Sequence, residues 1–242
     1  MRHVDLCSGI GGFALGFEWA GLSKPVLFCD IDPWCRKILA QHWPNVPIAD
    51  DVKVLANDPI RLIPDCEILT AGYPCQPFSV AGKRKGTQDD RHIWPYIRRI
   101  VAQKRPAWCV FENVYGHISM GLDQVLVDLE SESYAARAFI VPACGVNAPH
   151  KRNRLWIIAR DMANTDDTGP QGRVHRRTDQ ERQSKHGHIG CSGTIHRQPI
   201  QGWWDVEPKL GRVAHGIPNR THRLKGLGNA IVPQIAEQIA LT

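Results

Sequence analysis

The sequence predicts an α/β fold, a mostly parallel sheet with helices on both faces, on three observations. Strand-like apolar runs alternate with helix-period segments through the first two thirds of the chain. Acidic or glycine-rich turns follow the carboxyl ends of the first strand-like runs. The 242 residues, 43% of them hydrophobic, suffice for one substantial core and a small extra module.

In order, "RHVDLC" reads as a strand that runs into the glycine-rich turn "SGIGG" and then a helix over "FALGFEWAG". "PVLFCD" is the next strand. Pro33 opens the helix "PWCRKILAQHW", a residue suited to a first helical turn. "EILTAG" is a strand, "WPYIRRIVAQK" a helix and "AWCVFENV" a strand. "LDQVLVDLE" is a helix, followed by the strands "ARAFIVPA" and "RLWIIAR". From about Met162 to Pro199 apolar periodicity stops, and the chain is polar, basic and rich in glycine and histidine. "GLGNAIVPQIAEQIA" reads as one closing helix. The expected organisation is therefore a main domain over 1–162, a polar insert over 163–216 and a returning segment over 217–242, with no internal repeat.

The formal net charge of +6 favours a polyanionic partner. No apolar run is long enough to span a membrane, and the N-terminus lacks a secretion signal, so a cytoplasmic protein is expected. The eight cysteines form no C-x-x-C pair and read as free thiols, with Cys29 and Cys109 as small buried hydrophobes.

Several residues carry candidate chemistry. The turn Cys7-Ser8-Gly9-Ile10-Gly11-Gly12 sits between a strand and a helix. It either closes a tight structural turn or lets a nucleotide-like ligand approach the backbone. Asp30 ends the second strand, where a Rossmann-like sheet offers a carboxylate to ribose hydroxyls. Asp32, before Pro33, fits a helix N-terminus better. Asp51 is either a solvated loop acid or a contact to an adenine amino group. Cys75, in "AGYPCQPFS", follows a strand and is braced by Pro74 and Pro77. Lys83, Arg84 and Lys85 follow it, and positive neighbours raise a thiol's thiolate fraction. Glu112 also ends a strand, as a general acid or a turn acid. In extended chain Arg152 and Arg154 point to one side, as a pair for a carbonyl oxygen and a phosphate or for structural carboxylates.

"DLCSGIGGF", "GYPCQPFS", "ENV", "HKRNR" and "GLGNAIVPQ", in this order, resemble the ordered motifs of the cytosine-C5 DNA methyltransferases. The resemblance covers 1–160 and roughly 217–242. It implies a Rossmann-like S-adenosylmethionine-dependent methyltransferase fold with a small irregular target-recognition region over 163–216. It implies that Cys75 attacks C6 of a cytosine, that Glu112 bonds N3 and the exocyclic amine, and that Arg154 holds O2. Arg152 would support the catalytic loop or phosphate contacts. S-adenosylmethionine would lie over Cys7, Ser8, Gly9, Ile10, Gly11 and Gly12. Asp30 would meet the ribose, Ile31 the adenine face, and Asp51 and Val52 the adenine edge. Gly72 and Pro74 would line the nucleophile side, and Asn229, Ala230 and Ile231 would close the pocket. Ser79, Lys83, Arg84, Lys85, Arg173, Arg176 and Arg177 would contact double-stranded DNA.

The resemblance further implies a monomer, a possible cognate restriction endonuclease and no metal. His186, His188, Cys191 and His196 lack a standard zinc spacing. Methylation of RNA and a binding protein without activity are the alternatives. Cys7 stands where the family commonly has phenylalanine, Tyr73 replaces a more frequent phenylalanine, and His150 replaces a glutamine.

Overall fold

The structure, a computed structural model, describes residues 1–74, 93–163 and 220–242. All of them belong to one compact unit, residues 1–165 with 214–242, and residues 166–213 lie outside the described set.

Among the described residues, seven strands build the sheet: β1 (Arg2–Leu6), β2 (Lys24–Cys29), β3 (Ile48–Ala49), β4 (Ile68–Ala71), β5 (Trp108–Val114), β6 (Tyr134–Pro142) and β7 (Asn153–Asp161). Their order is β3-β2-β1-β4-β5-β7-β6. The pairs among β1 to β5 are parallel, and β7 runs antiparallel to both β5 and β6. The expected mostly parallel sheet is therefore present, with a β6–β7 hairpin inserted at its edge.

The pleat sends alternate residues to opposite faces. Leu69, Phe111, Leu155 and Ile157 pack with α5 (Trp94–Lys104) and α7 (Leu122–Ser131). Ile68, Val110 and Trp156 pack with α1 (Gly12–Trp19) and α9 (Pro233–Ala240). Helix α2 (Pro33–His42) adds Leu39 against Phe28 and Ala14. Asp32 caps α2 by accepting from the Trp34 amide, and Pro33 occupies its first turn, as expected. Cys29 and Cys109 are buried, also as expected.

Short helices α3 (Val52–Leu55), α4 (Pro59–Leu62) and α6 (His117–Met120) join these elements and were not anticipated. At four residues each, they leave no helical period to read.

One expectation is corrected. "GLGNAIVPQIAEQIA" is not a single helix: α8 (Arg220–Asn229) ends before Ala230, and α9 starts at Pro233. Proline disfavours helical backbone in the residue before it, and Val232 is extended at φ −79°, ψ 107°. The resulting kink, Ala230 to Val232, is the stretch that lies against the first glycine turn.

Candidate active site

The sheet reverses its winding between β1 and β4, so the loops leaving those two strands flank a crevice at the carboxyl edge. The glycine turn leaves β1. Cys7, Gly9 and Gly11 have φ of 51°, 56° and 86°, left-handed values that cost a cysteine and suit glycine. Ser8 is turned inward: its hydroxyl donates to the Asp5 carbonyl at 2.6 Å. Asp30, at the end of β2, locks the turn by accepting from the Gly9 amide at 2.7 Å and the Asp32 amide at 2.8 Å. Each of its oxygens keeps a second lone pair, and burial raises its pKa above the usual carboxylate value. Ile31 beside it is 75% exposed, an apolar side chain left at the crevice rim. Asp51 caps α3 through the Lys53 amide at 2.9 Å, and Val52 is buried beneath it.

The C-terminal kink closes the other wall. A Cβ at Gly12 would lie 2.6 Å from the Ile231 carbonyl oxygen, so only glycine permits this approach. Ile231 is buried and also reaches Gly72, where an added Cβ would meet its Cδ1 at 3.3 Å. The structure thus gathers Gly12, Gly72 and Ile231 into one wall, with Asp30 and Ile31 on the β2 side.

Glu112 and Arg154 form the polar centre. They lie on neighbouring antiparallel strands, where Glu112 is opposite Trp156 and Val114 opposite Arg154. Arg154 is thus a diagonal neighbour on the same face, within reach of a long side chain. Its Nε lies 3.0 Å from Glu112 Oε1. Burial pushes the Glu112 pKa up to about 7, and the charges of Arg154 and Arg152 oppose but do not cancel that effect.

Arg152 departs from the expected parallel alignment with Arg154. Its φ of 32° breaks the extended alternation. Its guanidinium donates to the Gly228 and Ala230 carbonyls, both at 2.8 Å. It fastens the C-terminal kink to the strand that carries Arg154. Asn229 and Ala230 are accordingly held at the rim by backbone contacts.

Cys75 lies outside the described residues, as do Ser79, Lys83, Arg84, Lys85, Arg173, Arg176, Arg177 and the histidines considered for zinc. The residues that deliver Cys75 are described. β4 ends at Ala71, and Tyr73, two positions before the cysteine, is buried. The Asn113 side-chain amide donates to the Tyr73 carbonyl at 3.1 Å. Sequence reasoning assigned Glu112 and overlooked Asn113. Strand alternation offered the signal, since adjacent residues at a strand end serve opposite faces. Burial pushes the thiols of Cys7, Cys29, Cys35, Cys66 and Cys109 above their usual value, which makes each of them a poor nucleophile.

Strand order and the glycine cradle at the switch point define the class: a Rossmann-like methyltransferase fold. Among solved structures, a Dnmt2 methyltransferase of S. pombe superposes with a TM-score of 0.58 at 26% identity, over 66% of this chain and 50% of that one. A Dnmt2 mutant of Spodoptera frugiperda superposes at 0.57 with 20% identity, over 71% and 53%. The sequence relatives are narrower in kind. Type II methyltransferase M.HhaI of Haemophilus parahaemolyticus is 33% identical over 163 residues, 65% of this chain and 48% of the relative. M.DsaV of Dactylococcopsis salina is 32% identical over 163 residues, 65% of this chain and 45% of the relative. The matched stretch therefore spans under half the length of these curated relatives. Residues 1–195 match the C-5 cytosine-specific DNA methylases, and the chain belongs to that family.

Proposed function

We propose that the protein is a DNA (cytosine-5-)-methyltransferase that moves the methyl group of S-adenosylmethionine to C5 of a flipped-out cytosine in a specific duplex sequence. The ion pair of buried Glu112 with Arg154 carries this reading, because it stands at the same sheet edge as the glycine cradle and beside the strand that leads to Cys75.

The crevice fits the methyl donor. Gly9 opens onto empty space, since a Cβ there would meet nothing within 4 Å. Asp30 has lone pairs for ribose hydroxyls, and the exposed Ile31 offers an apolar surface to adenine. Bound S-adenosylmethionine supplies a methyl group on a sulfonium, an electrophile for C5.

The chain supplies the rest. C5 of cytosine is a poor nucleophile until a thiolate adds to C6, so covalent catalysis splits one hard step into easier ones. Cys75 forms the bond to C6. A Glu112 carboxyl with a pKa of about 7 is partly protonated at neutral pH, donates to N3 and takes up the charge that the addition creates. Arg154, whose Nε is 3.0 Å from Oε1 of that carboxyl, would hold the base O2. After methylation a solvent water takes the C5 proton, its electrons re-form the C5–C6 double bond as the C6–sulfur bond breaks and releases the thiolate, and the proton on N3 returns to Glu112. The target atom is inaccessible inside a duplex, so the base must be extruded first. Residues 163–216, with Arg173, Arg176 and Arg177, would read the sequence. A cognate restriction endonuclease and a monomeric, cytoplasmic enzyme belong to the same reading.

The test is methylation of plasmid DNA by the purified protein with S-adenosylmethionine, mapped by bisulfite sequencing. Protected cytosines in one sequence context are expected, and none with Cys75→Ala. A Cys75→Ala protein that still methylates sinks the covalent route. Protection of RNA cytosines alone sinks the DNA assignment.

A further inference from the structure

We propose that Tyr73 and His117 are positioning residues for methyl transfer, a hydrogen-bonded pair that fixes the backbone two residues before the nucleophile against the Glu112 strand. The assignment rests on the function proposed above.

Tyr73 is two residues before Cys75, and contacts with described residues hold it. Asn113 donates to its backbone carbonyl at 3.1 Å. Its ring packs on Phe111 and Trp94, with centroids at 6.3 and 5.6 Å. Its hydroxyl shares a 3.0 Å hydrogen bond with His117 Nε2. Tyr73 and His117 are 4% and 3% exposed, so the bond is made away from bulk water, where its geometry is strongly enforced.

The partners explain why this fixes relative position. Phe111 and Asn113 flank Glu112 on β5, so the contacts that place Tyr73 come from the strand that carries the carboxyl. Trp94 opens α5, just beyond the other end of the segment that contains Cys75, and its Nε1 is anchored on Asp128 Oδ2 at 2.7 Å. His117 is itself confined. A Cβ at Gly121 would lie 2.9 Å from its Cε1, so the start of α7 closes on the imidazole. Burial lowers the His117 pKa, which keeps the ring neutral at pH 7.

An aromatic ring alone would fill this space. The hydroxyl and the imidazole add direction: they prevent Tyr73 from sliding along its ring plane and carrying the following residues with it. Displacements of about 1 Å at a reacting group cost up to about 100-fold in rate, while ligand binding at unmoved walls is spared.

The experiment compares wild type, Tyr73→Phe, His117→Phe and the double variant. The probe is a duplex with 5-fluorocytosine at the mapped target. Its fluorine replaces the proton that must leave, so the Cys75–C6 adduct accumulates and is counted on a denaturing gel. Each single variant should form adduct about tenfold more slowly, with KM for S-adenosylmethionine and DNA affinity within twofold of wild type. The double variant, an apolar pair of matching shape, should fold and be no slower than the slower single variant. Single variants within twofold of wild type would overturn the assignment, as would a double variant whose loss is the product of the two. A wild type that binds S-adenosylmethionine and DNA yet forms no adduct overturns the covalent reading itself, and the positioning role with it.

Discussion

In the proposed reaction, Glu112 meets opposing demands from folding and from chemistry. Burial raises its pKa to about 7 from an ordinary 4.5, which keeps a proton available to the base and makes the ionised form costly. The folded protein thus binds this proton more tightly than the unfolded chain. The stabilisation is complete below about pH 4.5 and is lost as pH rises to about 7. Glu112→Gln cannot titrate. Between pH 5 and pH 8, wild type should therefore lose about 1–3 kcal/mol relative to the Gln variant, measured by urea unfolding at both values. Methyl transfer by the variant should fall about 100-fold or more. Parallel stability curves would mean that Arg154 keeps Glu112 ionised. Other buried groups cancel in the comparison, including Asp5, raised to about 7, and His3, lowered to about 3.

At the scale of elements, the α1–α9 contact joins the glycine cradle to its opposite wall. Gly16 permits it: a Cβ there would lie 2.3 Å from the Pro233 carbonyl oxygen and 2.7 Å from Ala236 Cβ. Alanine is the better helix former by about 1 kcal/mol. The obstruction is backbone, however, and cannot rotate away, so overpacking should win by about 1–3 kcal/mol. Gly16→Ala should lower Tm by roughly 5 °C and weaken S-adenosylmethionine binding, read by thermal melting and calorimetry. A raised Tm would show that helix propensity outweighs the contact. Arg152 serves the same junction, since its two bonds to the kink tie the C-terminal wall to the strand of Arg154.

Across the whole molecule, the proposed function assigns cofactor binding and sequence reading to different lengths of chain. The cradle, the Glu112–Arg154 pair and the C-terminal wall all fall within residues 1–165 and 214–242. Replacing residues 166–213 by a short glycine-serine linker should leave the S-adenosylmethionine Kd within about threefold and remove site-restricted methylation. Cofactor binding that disappears with the segment would show that the core depends on it. The net charge of +6 also predicts DNA binding that weakens steeply with salt, through release of condensed counterions.

By itself the sequence determined the alternating strands and helices, the sheet edge that bears the candidate site, and the carboxyl groups just after β2 and near the carboxyl end of β5. These follow from local signals: apolar runs with short periods, prolines and glycines that constrain single dihedrals, and acids at strand ends. Tertiary structure decided what depends on neighbours remote in sequence. Arg152 looked like a twin of Arg154, but a positive φ and two carbonyls some 76 and 78 residues away turned it into a fastener. His117 carried no signal in its four-residue helix and gained its place only when Tyr73, 44 residues away, packed against it. The pKa of Glu112 had the same origin, because desolvation is a property of the assembled interior and not of any stretch of chain.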